Sequence, residues 1–197
     1  MILKNDEFTV EITTDASYEI GSLNNKLYDI VLNPDNYLAG KDHFYKVLSI
    51  SVESKDRKIS IAMIGSYYTV EVDCAVLREN TLTVLQDDRI TQINMADGTV
   101  LKSKEAGYLG CNFGIYQVKQ GFLIYGELNI TLLDHNLNKK WMFSGRDIFV
   151  SISGKESFKI SEYSIQLYDF QDNYYELDFG GRVIKEIKAE DRDRGSL

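Results

Sequence analysis

The chain has 197 residues, 44% hydrophobic and 26% charged, with thirty acidic against twenty-two basic side chains and a formal net charge of −8. At roughly 100–200 residues per domain it is long enough to bury a core without disulfide staples. The acidic balance, with a pI near 4.8, excludes a surface that tracks nucleic-acid phosphates, because such affinity comes from Lys and Arg displacing counterions.

At the N-terminus, MILKNDEFTV sets Asp6 and Glu7 where a secretory leader would carry its apolar run, and no stretch approaches the ~20 apolar residues of a membrane-spanning helix. The expected location is the cytoplasm, with no membrane partner. Strands are predicted over 8–13, 17–21 and 26–32, the last against a weak helical alternative over 22–32. The segment 33–40, NPDNYLAG, holds the only proline and reads as a turn. In 44–53, Phe44, Leu48, Ile50 and Val52 alternate with Val47, Ser49, Ser51 and Glu53, a period of two, and 58–64 repeats it after the turn SKDR, so the pair predicts a hairpin. The same pattern predicts strands over 67–76, 81–85, 89–94, 121–126, 129–134, 156–160 and 163–169, separated by short spacers rich in Asp, Asn, Gly and Lys. After Ile187 there is no apolar anchor, and the charged tail 189–197 is expected to fray.

Setting Ile90, Ile130 and Ile165 in register aligns TVLQDDRITQINMADGTVLKS, LIYGELNITLLDHNLNKKWMF and FKISEYSIQLYDFQDNYYELD at offsets of 40 and 35 residues. Each segment reads strand, acidic turn, strand, polar turn, strand. Asn94, Asp134 and Asp169 open the polar turn, and Gly98, Asn138 and Asn173 follow four positions later, where positive φ is expected. A period near 40 with three or four strands per unit is the signature of propeller blades.

The segment LLDHNLNKKWMF resembles the repeat of quinoprotein-type (PQQ-like) β-propellers, in which an Asp-containing turn and a Gly or Asn precede Lys and a docking Trp; INMADGTVLKS and LYDFQDNYYELD are weaker versions. The resemblance spans residues 83–178. It implies an all-β propeller-like fold of four to five small blades of antiparallel meanders, with a β-sandwich or an open stack of meanders as the alternative. Trp141 has Leu101 and Glu176 as its counterparts, which leaves strict Trp docking in question. No position matches the family's quinone or metal ligands, so no cofactor is expected. The chain is read as one all-β domain over 1–188, with diverged strands in 1–80 and the repeats in 81–188.

Candidate chemistry is sparse. Cys74 and Cys111 have no neighbouring Cys and no His at zinc spacing, so two buried thiols are expected, with Asp73 disfavouring a reactive thiolate at Cys74. His135 aligns with Met95 and Phe170 and reads as a bulky structural residue, while His43 beside Asp42 reads as loop; no metal site is expected. GYLGCNFG has the wrong glycine spacing for a dinucleotide turn, and SISGKES lacks the flanking glycines of a nucleophile elbow. The acids Asp87, Asp88, Glu127 and Glu162 fall in one turn of the aligned repeats, which on a ring predicts a rim of like charge at one end. Of thirteen tyrosines, the pairs Tyr67–Tyr68 and Tyr174–Tyr175 must each place one ring outside a strand's core face, which marks Tyr68, Tyr174 and Tyr175 as interface candidates. Residues 1–40 add seven acids against only Lys4 and Lys26. These features point to a non-catalytic module that presents an acidic, tyrosine-bearing surface to a basic protein, in one version an inhibitor or immunity-type protein. The alternatives are a carbohydrate-active enzyme using carboxylates on a propeller face and a scaffold subunit that assembles through an unpaired sheet edge.

Overall fold

The computed structural model describes residues 1–42, 44–67, 73–87, 89–105 and 111–190. Between Ile2 and Ile187 every regular element among them is a strand, and the strands form four sheets. The all-β expectation holds. The first sheet contains β1 (Ile2–Lys4), β2 (Phe8–Thr14), β3 (Ile30–Leu32), β4 (Lys46–Ser54) and β5 (Lys58–Gly65) in the order β1-β2-β4-β5-β3, with β3 parallel to β5. The other three are meanders of consecutive strands, the unit from which propeller blades are made. They are β6 (Ala75–Arg78) to β9 (Val100–Glu105), β10 (Asn112–Val118) to β13 (Lys139–Phe143), and β14 (Phe158–Ile160) to β17 (Val183–Ile187). In the second sheet β7 (Thr81–Leu85) and β8 (Arg89–Asn94) are the middle strands; in the third β11 (Gly121–Gly126) and β12 (Ile130–Leu133); in the fourth β15 (Ile165–Tyr168) and β16 (Tyr174–Leu177).

In each meander a register shift falls on the third strand just before the last turn, at Gln92/Ile93, Leu132/Leu133 and Glu176/Leu177. Asn94, Asp134 and Asp178 then open that turn. The true period is therefore 40 then 44 residues, and the expected equivalence of Asp134 with Asp169 is corrected: Asp169 opens the preceding turn, between β15 and β16. Positive φ falls at Gly98 as expected, but the later turns take it at Leu137, Asp172 and Gly181 and not at Asn138 or Asn173. Those two asparagines hold the turn another way, each donating its side-chain amide to the opening Asp, at 3.1 Å to Asp134 and 3.0 Å to Asp169.

Several predicted strands are absent or shortened; of 67–76, residues 68–72 lie outside the described residues and strand begins at Ala75. Residues 17–21 form turns, and only 30–32 of the stretch 26–32 is strand. The Asp15 carboxylate accepts from the Ser17 amide and hydroxyl, and Asn25 brackets Glu19 through its amide N–H and carbonyl, so side chains satisfy backbone groups that a ladder would otherwise pair. β1, β10 and β17 form where no strand was predicted.

The chain divides into two compact units, residues 1–108 with 112–116 and residues 109–111 with 117–197. In the first, Val10 and Ile12 of β2, Leu48, Ile50 and Val52 of β4 and Ile59, Ile61 and Met63 of β5 pack with Leu82, Val84 and Ile93 of the second sheet. Each such side chain contributes about 1.5–3 kcal/mol on burial. The opposite face of the first sheet buries Val47, Ala62 and Ile64 beneath Tyr18, Ile20, Tyr28, Tyr37 and Tyr45. In the second unit, Tyr125 stacks on Phe158 with centroids 4.5 Å apart, and Phe143, Phe149 and Tyr175 form an aromatic cluster. Trp141 does dock: its indole N–H donates to the Phe179 carbonyl at 3.1 Å, and a Cβ on Gly181 would stand 2.6 Å from its ring.

Candidate partner-binding surface

Within the second unit, Glu127 and Glu162 do not fall in equivalent turns. Asp87, in the β7–β8 turn, accepts from the Ser66 hydroxyl at 2.7 Å and holds the Ser66 carbonyl through its own N–H. Its backbone carbonyl accepts from the Asn112 amide, while its Oδ1 is shielded from solvent with no hydrogen-bond partner among the described residues. Glu127, in the β11–β12 turn, is half-buried and is fixed through its backbone to Cys111 and Phe149. Glu162 is exposed, but its turn joins the first and second strands of its sheet, whereas Asp87 and Glu127 sit between second and third. Successive turns of a meander lie at opposite ends, so the three acids do not share an equivalent position. Asp88 and Tyr68 lie outside the described residues, as does His43.

Tyr174 is half-buried against Tyr168, donates to Glu176 at 3.2 Å and has the Lys185 ammonium over its ring. Tyr175 is 3% exposed. Its hydroxyl donates to Asp169 at 2.8 Å and accepts from the Arg146 N–H, so it offers no outward surface and is corrected to a core residue. Burial pushes its phenol up to about 12. Neither cysteine is in a disulfide; Cys74 is buried and Cys111 half-buried. Burial, with a smaller push from Asp73, raises the Cys74 thiol to about 11, which keeps it inert. His135 packs edge-on against Phe122, a structural role.

What the sequence did not single out is the layer over the outer face of the first sheet. Two long connections, 15–29 and 33–42 with 44–45, build it, and segments of such length without regular structure are commonly functional. Local bonds hold them in place. Tyr28 donates to Asp15 at 2.7 Å, the Ile20 N–H donates to the Tyr45 hydroxyl at 3.1 Å, and Tyr18–Tyr28 and Tyr37–Tyr45 pack ring to ring. Asp35 reaches inward to Arg89 and Gln86, and Gln86 accepts from Thr91, which in turn contacts Ser103. This mostly buried network fastens the layer to the second sheet. In these connections Leu23, Leu27 and Phe44 are each more than nine-tenths exposed, and Leu38 and the β3 residue Val31 are half exposed. Glu19 and Asp42 lie in the same segments; hydrogen bonds from the Ser17 hydroxyl and Tyr28 keep Asp15 below the usual carboxylate range, and those from Ser60 do the same for Asp29. Tyr28 and Tyr18 are pushed up by burial. Phe44, expected on one strand face with Leu48, Ile50 and Val52, instead lies ahead of β4 and is 94% exposed.

No family model matches the chain, and no curated protein matches it. Among solved structures it is similar to BamB from Moraxella catarrhalis, at 9% identity and a TM-score of 0.33, covering 75% of this chain and 62% of that one. It is also similar to a Bacteroides fragilis NCTC 9343 protein described as a candidate exported protein, at 9% identity and a TM-score of 0.37, covering 90% of this chain and 55% of that one. The chain thus spans less than two thirds of either, and likenesses at these scores carry no functional argument.

Proposed function

We propose that the protein is a non-catalytic binding module that engages a basic protein through the layer over its first sheet. The observation that supports this is the near-complete exposure of Leu23, Leu27 and Phe44 on segments whose four tyrosines pack against the first sheet and whose Asp35 forms a half-buried ion pair with Arg89. Rigid apolar anchors in a polar rim are what a partner surface uses, since ordering costs are met before binding. The excess of acid in residues 1–40 favours a partner of positive charge and a fast, salt-sensitive encounter. An inhibitor or immunity-type role, in a reducing cytoplasm, is the specific version of this reading.

A hydrolase reading draws less support. The carboxyls that depart from the ordinary range, Asp15, Asp29, Asp97, Asp134, Glu176 and Asp178, are all held low, first by hydrogen bonds from neighbouring hydroxyls or N–H groups. A general acid needs the opposite shift. The test is recovery of partners by the tagged protein from host lysate at low and high salt, repeated with L23S/L27S/F44S. The expected result is a basic protein that elutes as salt rises and binds the triple variant about tenfold or more weakly. Equal retention by the variant, or no retained protein at any salt, overturns the proposal.

A further inference from the structure

At the end of the first unit where the β1–β2, β4–β5 and β8–β9 turns meet, a cleft of about 460 Å³ opens between the two sheets. Its floor is lined by the apolar Phe8, Val52, Ile59 and Met95, all of which belong to the buried core. Its rim carries Asp6 and Glu7 from one turn and Asp56 from another, and none of the three is in an ion pair among the described residues. Of the two cations on the rim, Arg57 is already engaged, donating to the Ala96 carbonyl at 2.9 Å. Two further clefts share the Asp6–Glu7 turn and add Glu53 and Glu79, of which Glu79 is paired with Arg78. The turn is rigid, because Asn5 accepts from the Glu7 and Phe8 N–H groups and donates to the Glu79 carbonyl.

We infer that this cleft receives a lysine or arginine side chain of the basic partner. An apolar floor with an anionic rim matches a side chain that buries its methylene stem and keeps its charged head at the surface. A purely apolar side chain would leave the carboxylates without a counter-charge, and an anion would be repelled by them. The inference deepens the proposed function and rests on it only for the source of the cation; the cleft's preference for a cation with an apolar stem stands on its own geometry.

The experiment titrates the methyl-labelled protein alone with Nα-acetyl-lysine methylamide and, separately, with the isosteric Nα-acetyl-norleucine methylamide. Saturating shifts of the Met95 and Ile59 methyl signals with the lysine probe are expected, with a Kd of about 1–10 mM. The norleucine probe should produce no saturating shift. The Asp6→Asn/Glu7→Gln variant, changed only at exposed positions, should weaken the lysine titration about threefold or more, as should ~1 M salt. Equal response to the two probes, an unchanged curve in the charge-neutral variant, or shifts confined to other methyls would overturn the inference. L23S/L27S/F44S should titrate normally. A lysate capture that fails beside a normal titration would sink the partner reading and leave a cation site, whereas a capture that succeeds beside a failed titration would sink only the cleft.

Discussion

Two turns of the second unit are built from the same hydrogen bonds and set in different surroundings. Asp134 accepts from the N–H groups of Asn136 and Asn138 with one oxygen and from the Asn138 amide with the other; Asp169 does the same with Gln171 and Asn173. Asp134 is half-exposed, while Asp169 is fully buried and also receives the Tyr175 hydroxyl. The local device is thus independent of depth, but its worth is not. Water can replace a lost partner at the Asp134 turn and cannot at the Asp169 turn. Asp169→Ala is expected to cost about 3 kcal/mol or more, since it strands buried donors, against about 1 kcal/mol for Asp134→Ala. Denaturant unfolding of the two variants checks this, and equal costs would show that the Asp169 turn is wetter than its burial implies.

The next largest effect sharpens a second contrast, between docking contacts. Gly181 has φ near +83° and accepts the face of Trp141, while Gly98, at φ +74°, accepts the tip of Ile30, whose Cδ1 would lie 2.2 Å from an added Cβ. Ala at either position adds left-handed strain of about 1 kcal/mol. Overpacking adds about 1–3 kcal/mol where the neighbour cannot move. A tryptophan whose N–H is held by the Phe179 carbonyl moves less readily than an isoleucine tip. Gly181→Ala should therefore lower the thermal midpoint more than Gly98→Ala, by calorimetry on both.

These contrasts also mark what the sequence reveals. Alternation and turn chemistry expose the meanders, because a period of two and an Asx at a turn are local properties. Which turn is which is not local: Asp169 and Asp178 open similar turns nine residues apart, and a register through Ile90, Ile130 and Ile165 pairs Asp134 with the first of them. That one slip moved Glu162 into the wrong class of turn. Of the candidate surface, the acidity of residues 1–40 was legible, but that Asp35 points inward to Arg89 was not. The strand at β3 was legible within the predicted stretch 26–32, but its parallel pairing with β5 was not.

Smaller effects probe the positive-φ positions. Leu137, at φ +60°, is buried, and Asp172, at φ +64°, is half-exposed with Lys155 and Ser153 on its carboxylate. Glycine relieves about 1 kcal/mol of backbone strain at either. At Leu137 it also removes a buried side chain worth about 2–3 kcal/mol, so a net loss of about 1–2 kcal/mol is expected. At Asp172 it removes surface contacts worth about 0–1 kcal/mol, so the variant should be near neutral. A stabilised Leu137→Gly protein would mean that the leucine packs poorly.

The smallest effect returns to Asp134 and is read in pH. The Asn138 N–H first of all, helped by the Asn138 side chain and the Asn136 N–H, holds this carboxyl below its ordinary value of 3.8, against an opposing cost of burial second only to that first bond. A depressed carboxyl stabilises the fold above the unfolded value and loses that contribution as pH falls through the folded one. Asp134→Asn keeps an acceptor oxygen without the titration. Its acid-unfolding limb below about pH 4 should be shallower than that of the parent protein, with little difference at neutral pH. Parallel limbs would mean that the turn persists in the acid-unfolded chain, because a group titrates silently when its surroundings are the same in both states.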